Sequence, residues 1–518
     1  MADISVLQIG ATDWTPKINH NHIDWHYTAV LDLPTFLAQQ RDPYVLEQTY
    51  VLLTDNILDS TLLSSQISEW PAYRTLYFAE DITDDFQHIL DERRAFHLPE
   101  KAPEAIISRI LTDLQLRQVG FQTRFSETQF IPLPPNNTHF KRAGRFSAQF
   151  NGDFGTIWQQ IGQLKRYATD FAIAKAHDVW LDYEQSGTVE VQLEFVFFNQ
   201  GKIQTTQTIS GDALRRLNTI GDVSDYQDYQ VLVYARGNGG LDLHVLHQRQ
   251  SRHGFGLLLP GDHWELTEEN EEIMSYFNPG DRKGPLIVNF SGLRLHVDGF
   301  EMLGPMRELG TPFLLFTDTR TQGGAFEIGT KHYEERVVEI IHQAMAALHL
   351  SAQEVILTGY SMGSLPAIYY AADIKPGAIV IAKPIINIGT MTANPEFPRE
   401  FNQDWTLDLR RYLAGRMALD DTEALNQILW EHIQNVDWSK IPVSLFTMSQ
   451  DEYDGQSLQQ LLTFWATRDV ALTHVIAEGP HTVKIPEMVA FITAELTKLR
   501  DDLPVSYTHL TLPTTERV

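Results

Sequence analysis

Val355-Ile-Leu-Thr-Gly-Tyr-Ser-Met-Gly363, continuing into Ser364-Leu-Pro-Ala-Ile-Tyr-Tyr-Ala-Ala372, reads as an apolar strand that ends in G-x-S-x-G and turns at once into a helix. That context gives the pentapeptide its meaning. A sharp strand-to-helix turn pushes a serine hydroxyl out above a sheet, where a base can reach it. Glycines two residues to either side let the backbone bend without a Cβ clash. Ser361 is therefore the candidate nucleophile, with a plain turn serine as the alternative.

Around this turn, residues 276–503 alternate strand and helix patterns. Leu286–Phe290, Phe313–Phe316, Ala378–Ala382, Val443–Met448 and Thr473–Ile476 read as buried strands. Val337, Ile340, Ile341, Ala344, Met345 and Leu348 recur at helical spacing, and a last amphipathic helix spans 486–499. The alternation predicts a parallel sheet covered on both faces, of the α/β-hydrolase kind. Residues 391–440, rich in tryptophan and charge, predict a helical insertion above the sheet.

A serine hydroxyl needs a base within hydrogen-bond reach and a group that orients the base. In α/β-hydrolase folds the chain order is serine, acid, histidine. Strand 443–448 runs into Ser449-Gln-Asp-Glu-Tyr-Asp454, which offers Asp451 first, Glu452 second and Asp454 third as the acid. Strand 473–476 leads to His481, the candidate base. Acyl transfer also needs donors aimed at a developing oxyanion. The amide of Met362 is one candidate. The other lies in Phe290-Ser-Gly-Leu-Arg294, on the N–H of Ser291, Gly292 or Leu293, with Gly292 preferred. Gly323-Gly324 belongs to a loop on the same rim.

The upstream chain differs. Residues 1–135 predict a small α/β unit, with strands at 4–9, 50–53 and 74–78 and helical patterns at 60–70 and 85–118. Residues 136–275 are β-rich: Val189, Val191, Leu193, Phe195 and Phe197 alternate with polar residues, the period of a half-buried strand. A β-sandwich-like domain is expected there, interrupted by a helix from 158 to about 167 and with a hairpin turn at Gly237-Asn-Gly-Gly240. Its aromatics Trp180, Tyr183, Tyr226, Tyr229 and Tyr234 offer faces for sugar stacking, or core packing. Residues 504–518 have no amphipathic period and enter no domain.

Composition narrows the function. A chain of 518 residues with 43% hydrophobic and 21% charged residues can bury large cores, and its length suggests about two to four domains. A formal charge of −27 repels phosphate backbones, which argues against a nucleic-acid partner. With no cysteine, thiolate metal sites and cysteine nucleophiles are excluded. No apolar run reaches the length of a membrane span, and the first ten residues lack a basic, then apolar, leader pattern, so a cytoplasmic location is expected. The residues call for no bound cofactor or metal, and they do not identify an acyl donor.

The block from Met274 to Arg294, with Asn278-Pro-Gly-Asp281 and Phe290-Ser-Gly-Leu-Arg294, together with Gly359-Tyr-Ser-Met-Gly-Ser364, resembles the second accessory secretory protein family of the accessory Sec system. The resemblance covers nearly the whole chain apart from the tail. It implies an O-acetyltransferase that modifies N-acetylglucosamine on serine-rich repeat adhesins and supports their export. Implied partners are other accessory secretory proteins, the accessory Sec translocase motor and the glycosylated adhesin. The family's serine, acid and histidine fall on Ser361, Asp451 and His481. The family acid is a glutamate, whereas the matching position here is Asp451 with Glu452 beside it, so the acid stays open between them. A carboxylesterase or deacetylase with the same triad, and a non-catalytic export scaffold, are the alternatives.

Overall fold

The strand Val355–Tyr360 lies in the middle of an eight-stranded sheet in the computed structural model, which describes residues 4–503 apart from 19–21, 40–48, 55–60, 79–81, 146, 166, 169–175, 222–225, 295–296, 322, 398–404 and 416–418. The tail from 504 onward lies outside the described residues. Across the sheet the strands run His263–Leu266, Glu272–Asn278, Phe313–Phe316, Leu286–Phe290, Val355–Tyr360, Ala378–Ala382, Val443–Met448 and Leu472–Ala477. The last six are parallel to one another, and Glu272–Asn278 runs antiparallel between Phe313–Phe316 and His263–Leu266.

The central strands are apolar on both sides because both faces are covered. Leu286, Val288, Phe290 and Leu357 pack with Val337 and Ile341 of the helix Lys331–Leu348. Ile287 and Ile356 point the other way, into a layer with Met488, Ile492 and Leu496 of the helix Ile485–Asp502. The expected insertion is helical where described, with Ile388–Ala393, Trp405–Ala414 and Thr422–Ile433. Its Phe397, Trp405, Leu409, Leu429 and Trp430 join the same core as the helix that follows Ser361.

Upstream, five parallel strands form a second sheet in the order Ile23–Thr28, Ile4–Ile9, Thr49–Leu53, Thr75–Tyr77, Phe96–His97. The strand Ile23–Thr28, in which Ile23, Trp25 and Tyr27 alternate with polar residues, is not among the strands expected. Between the two lies a ten-stranded, antiparallel network that begins at Gly120–Arg124. Where stacked sheets are expected, hydrogen bonds join these strands continuously. The reason is Asp228–Gln250, a 23-residue strand that pairs with Ser147–Leu164 along one edge and with His177–Gln185 and Glu190–Asn199 along the other.

Two local expectations are corrected here. The helix expected from 158 lies in the strand Ser147–Leu164, where pairing with Val233 to Ala235 overrides local propensity. Gly237-Asn-Gly-Gly240 is no hairpin turn but lies inside Asp228–Gln250. A Cβ on Gly237 would sit 2.1 Å from the Thr188 carbonyl oxygen, and one on Gly239 2.1 Å from that of Ser186. These glycines admit a close backbone crossing rather than a chain reversal. Trp180, Tyr183 and Tyr229 are buried in this region, Tyr226 packs on Phe197, and Tyr234 donates to Glu194. Core packing accounts for Trp180, Tyr183 and Tyr229, while Tyr226 and Tyr234 are partly exposed.

Candidate active site

Strand Val355–Tyr360 ends against the 290–291 backbone, and this proximity dictates the turn that follows. A Cβ on Gly359 would lie 2.1 Å from the Gly363 carbonyl oxygen, and one on Gly363 would lie 2.1 Å from the Phe290 carbonyl oxygen. Any side chain at either position would force the two segments apart. Ser361 itself has φ 53°, in the left-handed region that non-glycine residues seldom occupy. Ser364 locks the bend: its hydroxyl donates to the Ser361 carbonyl oxygen and accepts the Ile385 amide.

Three sequence-predicted residues meet at this rim. Ser361 Oγ lies 2.8 Å from His481 Nε2. On the far side of the ring, His481 Nδ1 lies 2.8 Å from Asp451 Oδ2. His481 is buried, while Ser361 stays partly open to solvent. With Nδ1–H donating to Asp451, Nε2 is left to accept from the serine hydroxyl.

The other two acids have different work. Glu452 accepts the backbone N–H of His481 at 2.7 Å, so it holds the loop and not the ring. Asp454 turns away. It accepts the Ile386 and Asn387 amides and the Ser457 hydroxyl, and burial pushes its carboxyl up to about 6.

The expected oxyanion donor at Gly292 is also corrected. Its amide donates to Glu301 Oε2 at 2.7 Å, and the Ser291 amide donates to the Phe316 carbonyl at 3.1 Å. The Leu293 amide donates to no acceptor among the described residues. Met362 is the middle residue of the single turn Ser361–Gly363, and Gly323 and Gly324 lie against Leu293 and Met362.

Two neighbours of the imidazole go unmarked by sequence motifs. Tyr453 packs its ring 4.4 Å from that of His481, and Phe397 of the insertion packs on Tyr453 at 4.8 Å. Lys383, almost fully buried, donates its ammonium to the carbonyls of His481 and Val483 at 2.7 and 2.5 Å. Burial pushes its pKa down while Asp451 and Glu452 pull it back up. A charged residue directly after the apolar strand Ala378–Ala382 was the available signal. Replacing Lys383 by methionine leaves two carbonyls without a donor, each costing about 1–3 kcal/mol. The Lys383→Met variant is expected to unfold at lower denaturant and to turn over esters about tenfold more slowly or worse, as the His481 loop loses its anchor. Unchanged denaturation and turnover would remove Lys383 from this role.

Among the described residues there is no cluster of His, Cys, Asp or Glu suited to a metal ion, and no helix is long and apolar enough to cross a membrane.

Comparison with known proteins covers most of the chain. The profile described as the accessory Sec system GspB-transporter matches residues 4–494. The chain is 30% identical over 514 residues to accessory secretory protein 2 of the accessory Sec system of Staphylococcus aureus, covering 94% of each. It is 27% identical over 492 residues to its counterpart in Streptococcus gordonii, covering 92% of this chain and 94% of that one. A solved chain from the Glycosylation Associate Protein complex of Streptococcus agalactiae superposes with a TM-score of 0.82 at 26% identity, covering 96% of this chain and 98% of that chain. The chain accordingly belongs to the accessory Sec system GspB-transporter family.

Proposed function

We propose that this protein is a serine-dependent O-acyltransferase of the accessory Sec system, acetylating N-acetylglucosamine on serine-rich repeat adhesins as they are prepared for export. The observation that carries the reading is the 2.8 Å approach of Ser361 Oγ to His481 Nε2, on a left-handed turn at the end of a central parallel strand, with Asp451 2.8 Å behind the ring. The sheet order, with only its second strand reversed and the three residues on loops after parallel strands, supports an α/β-hydrolase-like domain.

In this mechanism Ser361 Oγ attacks the carbonyl carbon of an acyl donor as its proton passes to His481 Nε2. Asp451 holds the ring tautomer and stabilises the imidazolium. The Met362 amide and an amide of the 291–293 loop that is not already engaged receive the oxyanion. Collapse expels the donor's leaving group, which takes the proton from His481, and leaves an acyl-serine. A sugar hydroxyl then attacks the acyl carbon while Nε2 takes its proton, and collapse returns that proton to Ser361. Transfer outruns hydrolysis only where water is kept out. Tyr453, backed by Phe397, packs against His481 and covers that side of the ring.

Family membership and the Glycosylation Associate Protein complex support work beside other accessory secretory proteins, and we extend this proposal to the translocase motor and the glycosylated adhesin on the cytoplasmic side. Trapping with a fluorophosphonate tests the chemistry. The expected result is one adduct, located by peptide mass spectrometry on Ser361. Absence of labelling there would leave an export scaffold without catalysis.

A further inference from the structure

We infer that Glu301 is a positioning residue for this acyl transfer, fixing the 291–293 backbone so that the Leu293 amide, rather than that of Gly292, is the second oxyanion donor beside Met362. The inference rests on the acyl-transfer reading.

The argument starts from the backbone donors of the loop. The Ser291 amide is used by Phe316, and the Gly292 amide by the Glu301 carboxylate at 2.7 Å. Leu293 has the next amide, and it donates to nothing among the described residues. The loop lies against the nucleophile turn. A Cβ on Gly292 would be 3.0 Å from the Tyr360 ring and 3.3 Å from the Tyr360 carbonyl oxygen, one residue before Ser361. The Leu293 side chain packs against Gly323, next to the Gly324 that touches Met362. The amides of Leu293 and Met362 thus belong to two segments held side by side.

A glycine peptide rotates easily unless something holds it. Glu301 does so from a fixed base. Its own amide donates to Ser291 Oγ at 3.2 Å, and that hydroxyl donates to the Phe316 carbonyl at 2.7 Å. The residues just before it are tied to the antiparallel sheet. Gln118 takes both the N–H and the C=O of Phe300. Asp298 accepts from Gln122 and Arg249, each at 3.0 Å, and its amide donates to the Gly120 carbonyl. Glu301 therefore transmits the hold of the β-rich region to the rim of the catalytic sheet.

The charge on Glu301 is not what the loop needs. A negative carboxylate near a developing oxyanion opposes it, so the useful property is the acceptor oxygen. This separates two substitutions. Glu301→Gln keeps an acceptor for Gly292 and removes the charge. Glu301→Ala removes both.

The test measures p-nitrophenyl acetate turnover and fluorophosphonate labelling on the full chain. Glu301→Ala is expected to lower kcat about tenfold or more, with KM within about twofold, and to slow labelling in parallel, because the phosphonyl oxygen occupies the same hole. Glu301→Gln is expected to stay within about threefold of the unsubstituted protein. Should Glu301→Ala fail to fold, Glu301→Met, of similar volume and without an acceptor, is read the same way. A rise in kcat on losing the carboxylate would overturn the inference, since Glu301 would then be masking Gly292 as the true donor. Unchanged kcat in the alanine variant, or equal losses in alanine and glutamine, would also overturn it. If the unsubstituted protein neither turns over the ester nor labels, the acyl-transfer reading itself fails. If it does both and only the Glu301 effects are missing, the reading stands without this residue.

Discussion

Replacing Ser361 by alanine is expected to bring glycan acetylation down to background while the protein folds normally. In a unit of nucleophile, base and acid, loss of the nucleophile alone removes a factor of about 10⁶ in kcat, as much as losing the whole unit. The structural cost is small. The Ser361 side chain is partly open, and its one described hydroxyl contact is the bond to His481. Ser364, not Ser361, ties the bend to the next strand. The Ser361→Ala variant should therefore show an unchanged unfolding midpoint, and mass spectrometry of the exported adhesin should find its N-acetylglucosamine unacetylated. Acetylation that persists would place the chemistry elsewhere. Export that continues without acetylation would show that secretion and modification are separable tasks.

The second large effect discriminates between adjacent acids. Asp451→Asn is expected to lower kcat by about 10³–10⁴, because an amide facing Nδ1 favours the wrong ring tautomer and leaves the imidazolium unsupported. Glu452→Gln is expected to cost only about tenfold. Its oxygen accepts the His481 backbone N–H, and a neutral amide oxygen still accepts that bond, more weakly than a carboxylate. Parallel turnover measurements on the two variants give the answer. Equal losses, or the larger loss at Glu452, would reassign the acid.

The Lys383 ammonium links these two acids. It is buried beside Asp451 and Glu452 and bonded to the carbonyl of the histidine they both serve. A buried cation of this kind is held in place by opposite charge and by acceptors that complete its shell. The His481 loop is thereby fixed at its amide by Glu452, at its ring by Asp451 and Tyr453, and at its carbonyl by Lys383. In the proposed reaction, a ring held at so many points reaches the serine hydroxyl without an ordering cost at each turnover.

Sequence alone settled whatever depends on neighbours along the chain. The strand-turn-helix around Ser361 is legible because G-x-S-x-G and its apolar flanks encode a local bend. The parallel sheet is legible because strands covered on both faces must be apolar throughout. The order of serine, acid and histidine follows from which loops leave the same edge of such a sheet. Tertiary structure decided the rest. Asp451 and Glu452 are adjacent and chemically alike, and only the turn of the 449–454 loop gives the ring to one and the backbone to the other. Glu301 and Gly292 are nine residues apart with no periodic relation, and their bond exists because the 298–301 segment is fastened to the antiparallel sheet. Gly237-Asn-Gly-Gly240 has the composition of a turn, yet pairing along both strand edges draws it into an extended strand. Local sequence fixes conformations whose energies are local, while the partner of a polar group is fixed by what the rest of the fold brings within about 3 Å of it.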